Sequence, residues 1–196
     1  MADRERLRRQ MRARRRALSN DERKSASQQI LRLANRLQLL RPGEHVAVYL
    51  AYGGELDLSP LITAGRRRGC ALYLPVITDY RNRRMVFRRF DAAIELRTNR
   101  YGIPEPTAGE TVSALRLDLV LAPLVAFDLR GSRLGSGAGF YDRALHRLRE
   151  RRSWRRPRVI GVGYEFQRVD ELASAPWDVP LDGVLTDSTF YRMAPR

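Results

Sequence analysis

Hydrophobic and polar positions at the amino-terminal end repeat with the period of a helix. Residues 3–18 form a basic stretch whose apolar positions lie on one stripe, namely Leu7, Met11 and Leu18. This pattern predicts an amphipathic helix. Ser19 and Glu22 then have the spacing of a capping box, which predicts the start of a second helix. Its apolar face is expected to hold Ile30, Leu33 or Ala34, Leu37 and Leu40, and Arg41-Pro42-Gly43 is expected to end it.

From residue 45 onward the pattern becomes one of strands alternating with helices. The predicted strands, one of them ribbon-like, cover residues 45–50, 71–77, 85–90, 118–127, 159–164 and 183–186. One helix is predicted to open at Ser59-Pro60 and another to run from about Gly139 to Arg151. This alternation favours an α/β fold. We expect a three-layer sandwich with a mainly parallel sheet and helices on both faces, preceded by two N-terminal helices, in a single domain over residues 1–196.

Composition limits the class of protein further. The chain has 196 residues, of which 43% are hydrophobic, so it can bury a substantial core. Neither a bilayer-spanning apolar run nor a secretory signal is recognisable, and we expect a cytoplasmic protein without a membrane partner. Cys70 has no second cysteine to pair with, and a role as a small buried hydrophobe in a reducing compartment is favoured.

The net charge of +15 comes almost entirely from arginine. One interpretation is a polyanionic partner, such as a nucleic acid, a nucleotide or a polycarboxylate. The alternative is an arginine-rich surface that faces water, and we favour it for most of these residues because charged runs are usually solvated. Net charge alone names no partner.

A glycine-rich loop carries the strongest chemical signal. After the apolar run Leu119–Phe127 and a polar turn, Gly135, Gly137 and Gly139 alternate with Ser136 and Ala138, and a helical pattern follows. Strand, glycine loop and helix in this order can present backbone N–H groups to an anion. The spacing matches neither the Walker A loop nor the dinucleotide-binding loop. Arg133 can supply donors to phosphate oxygens and Asp142 can hold a divalent cation, whereas the competing interpretation is a tight turn followed by a helix cap.

Other candidate residues are less specific. Glu55 follows the first strand, where α/β proteins bind ligands, although on its residue type alone we favour an exposed loop carboxylate. Tyr101 can stack on a flat ring or pack over the core. Asp178 and Asp182 are either turn formers or metal ligands. His45 and His146 are interpreted as structural, and neither a catalytic triad nor a zinc-site spacing is recognisable.

The motif FDLRGSRLGSGAGFYDRAL resembles that of the 5-formyltetrahydrofolate cyclo-ligases (methenyltetrahydrofolate synthetases). Further segments are similar in the same order: RRRALSNDER, VYLAYGGELDLSPLI, RYGIPEP, IGVGYEFQRVDEL and DVPLDGVLTD. The resemblance implies ATP-dependent, Mg²⁺-assisted closure of 5-formyltetrahydrofolate to 5,10-methenyltetrahydrofolate through a phosphorylated formyl group. Such a reaction depends on positioning and charge neutralisation, which agrees with the absence of a recognisable triad.

The resemblance also implies roles for individual residues. Arg4 and Arg8 are expected to reach the ATP phosphates. The nucleotide loop is expected to comprise Arg133, Leu134, Gly135, Ser136, Gly137, Ala138, Gly139, Phe140 and Tyr141. Asp142 is the expected Mg²⁺ ligand, with Asp178 a second candidate. The folate, which can be polyglutamylated, is expected to contact Leu50, Glu55, Tyr101 and Phe140.

Two positions depart from the family pattern, because a lysine is common where Arg4 and Ala138 stand. Arginine keeps the charge of lysine but not its point-like geometry, and alanine removes a cation from the glycine loop. The alternatives are a nucleotide-binding family member without folate activity and a basic nucleic-acid-binding protein. The latter would leave the glycine loop without a role, so we do not expect a nucleic-acid partner. We expect a monomer acting on small molecules.

Overall fold

The structure is a computed structural model that describes residues 2–150, 157–173, 175 and 177–193. Within these residues the α-helices are α1 (Ala2–Ala17), α2 (Asn20–Arg36), α3 (Ser59–Arg67) and α4 (Phe140–Leu145). The strands are β1 (His45–Ala47), β2 (Ala71–Asp79), β3 (Arg84–Arg89), β4 (Leu96–Thr98), β5 (Pro104–Pro106), β6 (Thr111–Val112), β7 (Leu119–Pro123), β8 (Ala126–Phe127), β9 (Arg133–Leu134), β10 (Arg158–Gly163), β11 (Gly183–Thr186) and β12 (Phe190–Arg192). Short 3₁₀ turns cover Ala114–Arg116, His146–Glu150 and Glu165–Gln167.

Eight of these strands form one mixed sheet in the order β12-β11-β10-β7-β1-β2-β3-β6. The five central strands, β11, β10, β7, β1 and β2, are parallel to one another. Outside them, β12 pairs antiparallel with β11 at one edge, and at the other edge β3 pairs antiparallel with both β2 and β6. Along the chain, β1 is followed by β2 and β3, which lie on one side of β1 in the sheet. The later strands β7 and β10 lie on the other side of β1. The predicted α/β fold with a mainly parallel sheet is therefore confirmed, with a change of direction between β1 and β7.

Helices cover both faces of the sheet, as expected. On one face, Ile30 and Ala34 of α2 and Leu61 of α3 are buried against the central strands. On the opposite face, Leu145 of α4 and Leu148 belong to a second buried cluster. Met11 of α1 packs separately against residues that follow β7. None of the helices within the described residues is both long and apolar enough to cross a bilayer.

The two N-terminal helices meet at the predicted capping box. The Glu22 N–H donates to Ser19 Oγ at 3.2 Å, and the Ser19 N–H donates to Glu22 Oε2 at 2.7 Å. The Ser19 hydroxyl also donates to Glu22 Oε2, and these hydrogen bonds lower the pKa of Glu22. Two donors that the helix itself leaves unpaired are satisfied in this way.

The end of α2 differs from the expectation. The helix stops at Arg36, and Gln38 takes a left-handed conformation with φ of 48°. The Leu39 N–H then donates to the Ala34 carbonyl at 3.0 Å, which closes the helix in a Schellman-type turn. Leu40 is therefore buried through this turn and not along the helix face, and Leu37, predicted to be buried, is exposed.

The predicted strand over residues 118–127 is interrupted. β7 ends at Pro123, and Ala126 and Phe127 leave the main sheet to pair with β9 in a separate two-stranded hairpin. Val125 and Ala126 stay buried because Met11 of α1 covers them. A segment that is buried outside a sheet can have the same continuous apolar sequence as a buried strand. The spacing of hydrophobic residues therefore does not distinguish these two structures.

Several other boundaries shift. The first strand extends only to Ala47, because the chain then turns into the loop before α3. The predicted helix from Gly139 becomes the short α4 and a 3₁₀ turn, and Arg151 lies outside the described residues. Strands β4, β5, β6, β9 and β12 have no counterpart in the sequence prediction. All are two or three residues long, too short to show a period.

The capping box gives a direct test of the boundary between the first two helices. We expect Ser19→Ala to lower the free energy of unfolding by about 1 kcal/mol, because the N–H of Glu22 loses its acceptor. Ser113→Ala is the matched control, since Ser113 precedes the 3₁₀ turn at Ala114 without a side-chain cap. Urea unfolding followed by circular dichroism measures both. Equal stability of the two variants would contradict this role of the capping box.

Candidate active site

A cavity of about 390 Å³ opens beside the carboxyl ends of β1 and β7. In open α/β sheets ligands bind at the carboxyl ends of the strands, at the point where the strand order reverses. Most of the residues predicted for the site line this one cavity: Leu50, Glu55, Tyr101, Arg133, Gly135, Ser136, Ala138, Gly139, Phe140, Tyr141 and Asp142. The fold therefore brings together segments that are up to 92 positions apart in the sequence, Leu50 to Asp142.

The glycine loop leaves its backbone donors available. Among the hydrogen bonds of the described residues, none is donated by a backbone N–H of residues 135–139. Two of the loop's glycines need their residue type, since φ is 107° at Gly137 and 74° at Gly139. A side chain is strained in that region. Four of these five residues, all except Gly137, line the cavity, and unpaired backbone N–H groups in such a loop are a suitable environment for an anion.

Arginine side chains of helix α1 hold this loop in place by donating hydrogen bonds to the carbonyl groups of the loop. Arg8 Nε donates to the Gly135 carbonyl at 3.0 Å, and Arg12 Nη2 donates to the Ser136 carbonyl at 2.9 Å. A Cβ added at Gly137 would lie 3.5 Å from Arg8 Cζ. The sequence prediction included Arg8 but missed Arg12. The signal was present, since Arg8, Arg12 and Arg15 are spaced by four and three residues and share one face of a helix.

A buried carboxylate organises the turn that leads into the loop. Asp128 is fully buried and accepts hydrogen bonds from the backbone N–H groups of Arg130, Ser132 and Leu172, at 3.0, 2.9 and 3.0 Å respectively. These bonds hold the turn before β9 and also attach it to the segment after β10. Arg133 follows directly, so the hydrogen bonds of Asp128 hold the backbone from which the Arg133 side chain extends.

Two ion pairs lie next to the glycine loop. Arg133 is buried and its Nη2 donates to Asp142, while its Nη1 has no hydrogen-bond partner among the described residues. Arg4 Nη2 donates to Asp178 Oδ2 at 3.3 Å. The Val179 N–H, next to Asp178 in the chain, donates to Asp142 Oδ1 at 3.4 Å. The two predicted metal ligands thus lie close together, each paired with an arginine.

Glu55 is mostly enclosed, so the interpretation as an exposed loop carboxylate is wrong. Its side chain is 21% exposed, and its Oε2 accepts a hydrogen bond from the Tyr52 N–H at 3.2 Å. Burial raises the pKa of Glu55, and the nearby guanidinium of Arg15 opposes this shift. The sequence did not reveal this burial, because it results from α1 packing against the loop.

Aromatic rings form another part of the wall. The ring centroids of Tyr101 and Phe140 are 6.2 Å apart, and Tyr80 contacts both rings at 5.6 and 6.4 Å. Tyr80 comes from the turn between β2 and β3 and was not predicted. Tyr101 remains 43% exposed, so it lies at the rim of the cavity rather than in the core.

The remaining predicted residues lie elsewhere. Leu134 is completely buried in β9 against the Met11 cluster, so its side chain does not face the cavity. Asp182 accepts a hydrogen bond from the Val159 N–H at 2.7 Å and supports the sheet. His45 stacks on Tyr73, which is consistent with a structural role. Cys70 is buried, as expected.

The buried carboxylate generates a prediction about the loop. Asp128→Asn replaces one acceptor oxygen by an amide group that faces backbone N–H donors, and we expect a loss of about 2 kcal/mol in the free energy of unfolding. Asp170→Asn, at an exposed aspartate, is the control. Thermal and urea unfolding measure both variants. A stability of Asp128→Asn equal to that of the control would show that the three hydrogen bonds are not needed.

The fold and this cavity define an α/β protein in which a glycine loop, held by two arginines of α1, lines a cavity at the carboxyl ends of the parallel strands. The model of the 5-formyltetrahydrofolate cyclo-ligase family matches residues 1–187. The chain therefore belongs to the 5-formyltetrahydrofolate cyclo-ligase family of enzymes, as the glycine motif predicted.

Individual relatives agree with this assignment. The 5-formyltetrahydrofolate cyclo-ligase of Escherichia coli is 38% identical over 185 residues, covering 91% of this chain and 97% of its own length. That of Haemophilus influenzae is 33% identical over 186 residues, covering 93% and 96%. The solved 5,10-methenyltetrahydrofolate synthetase of Aquifex aeolicus has a TM-score of 0.83 at 31% identity, covering 98% of this chain and 94% of that one.

Proposed function

We propose that the protein closes 5-formyltetrahydrofolate to 5,10-methenyltetrahydrofolate, consuming ATP in the presence of Mg²⁺ and releasing ADP and phosphate. Family membership supports the substrate. One structural observation carries the nucleotide part of the proposal. The N–H groups of residues 135–139 are unpaired among the described residues, and four of these five residues line a cavity that Glu55 also lines. A single cavity can then bring a phosphate donor and a folate together.

The chemistry explains why a phosphate donor is needed. N5 carries the formyl group, and the oxygen of this group is amide-like and is a poor leaving group. In the proposed reaction this oxygen attacks the γ-phosphorus of ATP, the bond to ADP breaks, and an imidate phosphate forms. The lone pair of N10 then attacks the formyl carbon, N10 loses its proton, and phosphate departs with the electron pair of the carbon–oxygen bond. Holding the reactants together and neutralising charge is the main task left to the protein.

Arg133 is well suited to contact the phosphates. Its guanidinium is buried beside the glycine loop, and Nη1 has no partner among the described residues. An unpaired buried donor is costly, and a phosphate oxygen would satisfy it. Arg8 contacts the loop through Nε and also adds positive charge there. Arg4, which is paired with Asp178, lies one turn before Arg8 in α1 and is proposed to face the same phosphates.

The residues near the loop fit a magnesium ion that arrives with the nucleotide. Among the described residues no group of three or more His, Cys, Asp or Glu side chains could hold a metal by itself. Mg²⁺ in phosphoryl-transfer sites is usually held by one or two carboxylates together with substrate phosphates and water. Asp142 and Asp178 supply that number of carboxylates. When bound, Mg²⁺ would neutralise charge on the phosphates.

The folate is proposed to lie against Glu55 and the aromatic wall. The pterin ring carries an amino group and a ring N–H side by side, and an ionised carboxylate can accept hydrogen bonds from both. Leu50, Tyr101 and Phe140 line the same cavity and provide apolar and aromatic surface for the flat rings.

The central test is an absorbance assay. We expect the purified protein, mixed with ATP, Mg²⁺ and 5-formyltetrahydrofolate, to produce the near-ultraviolet band of the methenyl product. Omitting ATP or chelating the metal should abolish the signal. ATP binding without any methenyl product, even at high enzyme concentration, would contradict the folate chemistry and favour a nucleotide-binding protein without it.

The assignment of Asp142 makes a second prediction. Asp142→Asn should lower turnover at least about tenfold and raise the Mg²⁺ concentration that gives half-maximal rate, since a metal ligand loses its charge. Because this change also removes the partner of Arg133, unfolding is measured in parallel. Asp91→Asn, at an exposed aspartate on another part of the surface, is the control. Unchanged turnover and unchanged Mg²⁺ dependence would exclude Asp142 as the ligand.

A further inference from the structure

Helix α1 buries one arginine for which the proposed reaction has not yet provided a role. The Arg15 side chain is 5% exposed, and its Nε and Nη1 atoms are buried without a hydrogen-bond partner among the described residues. Burying a cation with unpaired donors is costly. The nearest carboxylate is that of Glu55, whose Oε1 lies 4.0 Å from Arg15 Nη1.

The local backbone is built to bring these two side chains together. The loop that carries Glu55 turns at Gly53 and Gly54, which have φ values of 57° and 78°. A Cβ at Gly54 would lie 3.3 Å from the carbonyl oxygen of Arg15, so a larger residue would push the loop away from α1. Arg23 fastens the same carbonyl through Nη2 at 2.6 Å.

Arg15 lies behind Glu55 and not on the cavity surface. The residues that line the cavity include Glu55 and Arg12 but not Arg15. A ligand in the cavity therefore meets the Glu55 carboxylate, and the charge behind that carboxylate is Arg15. Glu55 is the residue of the cavity wall that forms an ion pair with Arg15, and this pair links Arg15 to the ligand.

The charged and titratable groups around Glu55 come from three elements. Arg15 and Arg12 face it from α1, Tyr49 from the segment after β1, and Tyr141 from α4. Burial raises the pKa values of both tyrosines, so they stay neutral. Burial raises the pKa of Glu55 as well, and among the groups that lower it Arg15 has the largest effect, ahead of the Tyr52 N–H and Arg12.

We propose that Arg15 is a positioning residue that keeps Glu55 ionised and oriented to accept two hydrogen bonds from the pterin ring. This inference rests on the proposed function of Glu55. A protonated carboxyl group would present a donor to the ring's own donors. Folate affinity is therefore lost as the pH falls through the pKa of Glu55, and removing Arg15 raises that pKa and moves the loss to higher pH.

The experiment measures the dissociation constant of 5-formyltetrahydrofolate between pH 5 and 8 for the full chain. In Arg15→Leu we expect the pH midpoint of binding to rise by about one unit, which corresponds to roughly tenfold weaker binding on the acid side of the midpoint and little change well above it. Arg15→Lys restores a cation and should return the midpoint toward that of the unchanged protein. Arg16→Leu, at the exposed neighbouring arginine, is the matched control.

Three results separate the possibilities. Identical pH profiles for Arg15→Leu and the unchanged protein would overturn the inference, as would a loss that is equal at every pH and not rescued by lysine. Arg15→Met gives a second neutral variant of similar length if the leucine variant folds poorly. Glu55→Gln should weaken binding and remove the pH dependence in this range. If Glu55→Gln binds folate normally, the proposed function of Glu55 is wrong, whatever the Arg15 variants show.

Discussion

Hydrogen bonds from arginine side chains of α1 to backbone carbonyls hold the first helix of the chain across the carboxyl ends of the parallel strands. Arg8 and Arg12 bind the glycine loop, and Arg14 donates to the Phe166 carbonyl at 3.2 Å. Met11 adds apolar contact on the same side. Since these partners lie more than a hundred residues away in the sequence, the candidate site does not exist until α1 has docked.

The high positive charge has a more specific use than composition suggested. Most arginines do lie at the surface, but Arg8, Arg12 and Arg14 of α1 bind carbonyl groups. Arg4 and Arg133 pair with Asp178 and Asp142. The carbonyls of Gly135 and Ser136 are bound by Arg8 and Arg12, whereas the N–H groups of the loop are unpaired among the described residues. The guanidinium groups of Arg8 and Arg12 thereby bring positive charge to the loop. Arg15 is a further arginine of α1. It pairs with Glu55 and does not itself line the cavity.

Patterns with local causes were read correctly from the sequence. The capping box, the proline-initiated α3 and the mainly parallel character of the sheet depend on residues close together or on simple periodicity. The glycine motif also indicated the family, which the comparison with known proteins confirmed. Errors arose where burial came from a distant element, as at Val125, which stays apolar outside the sheet because α1 covers it.

The sequence by itself therefore determined the fold class, the family and the loop on which the nucleotide proposal rests, because short-range spacing and periodicity carry that information. Only the tertiary structure decided that Glu55 is enclosed, that the segment carrying Asp178 contacts Asp142, and that Arg15 lies 4.0 Å from Glu55. Those facts depend on the position of α1 relative to strands formed much later in the chain. Burial and electrostatics act over ångströms in space, and residue spacing along the chain does not record such distances.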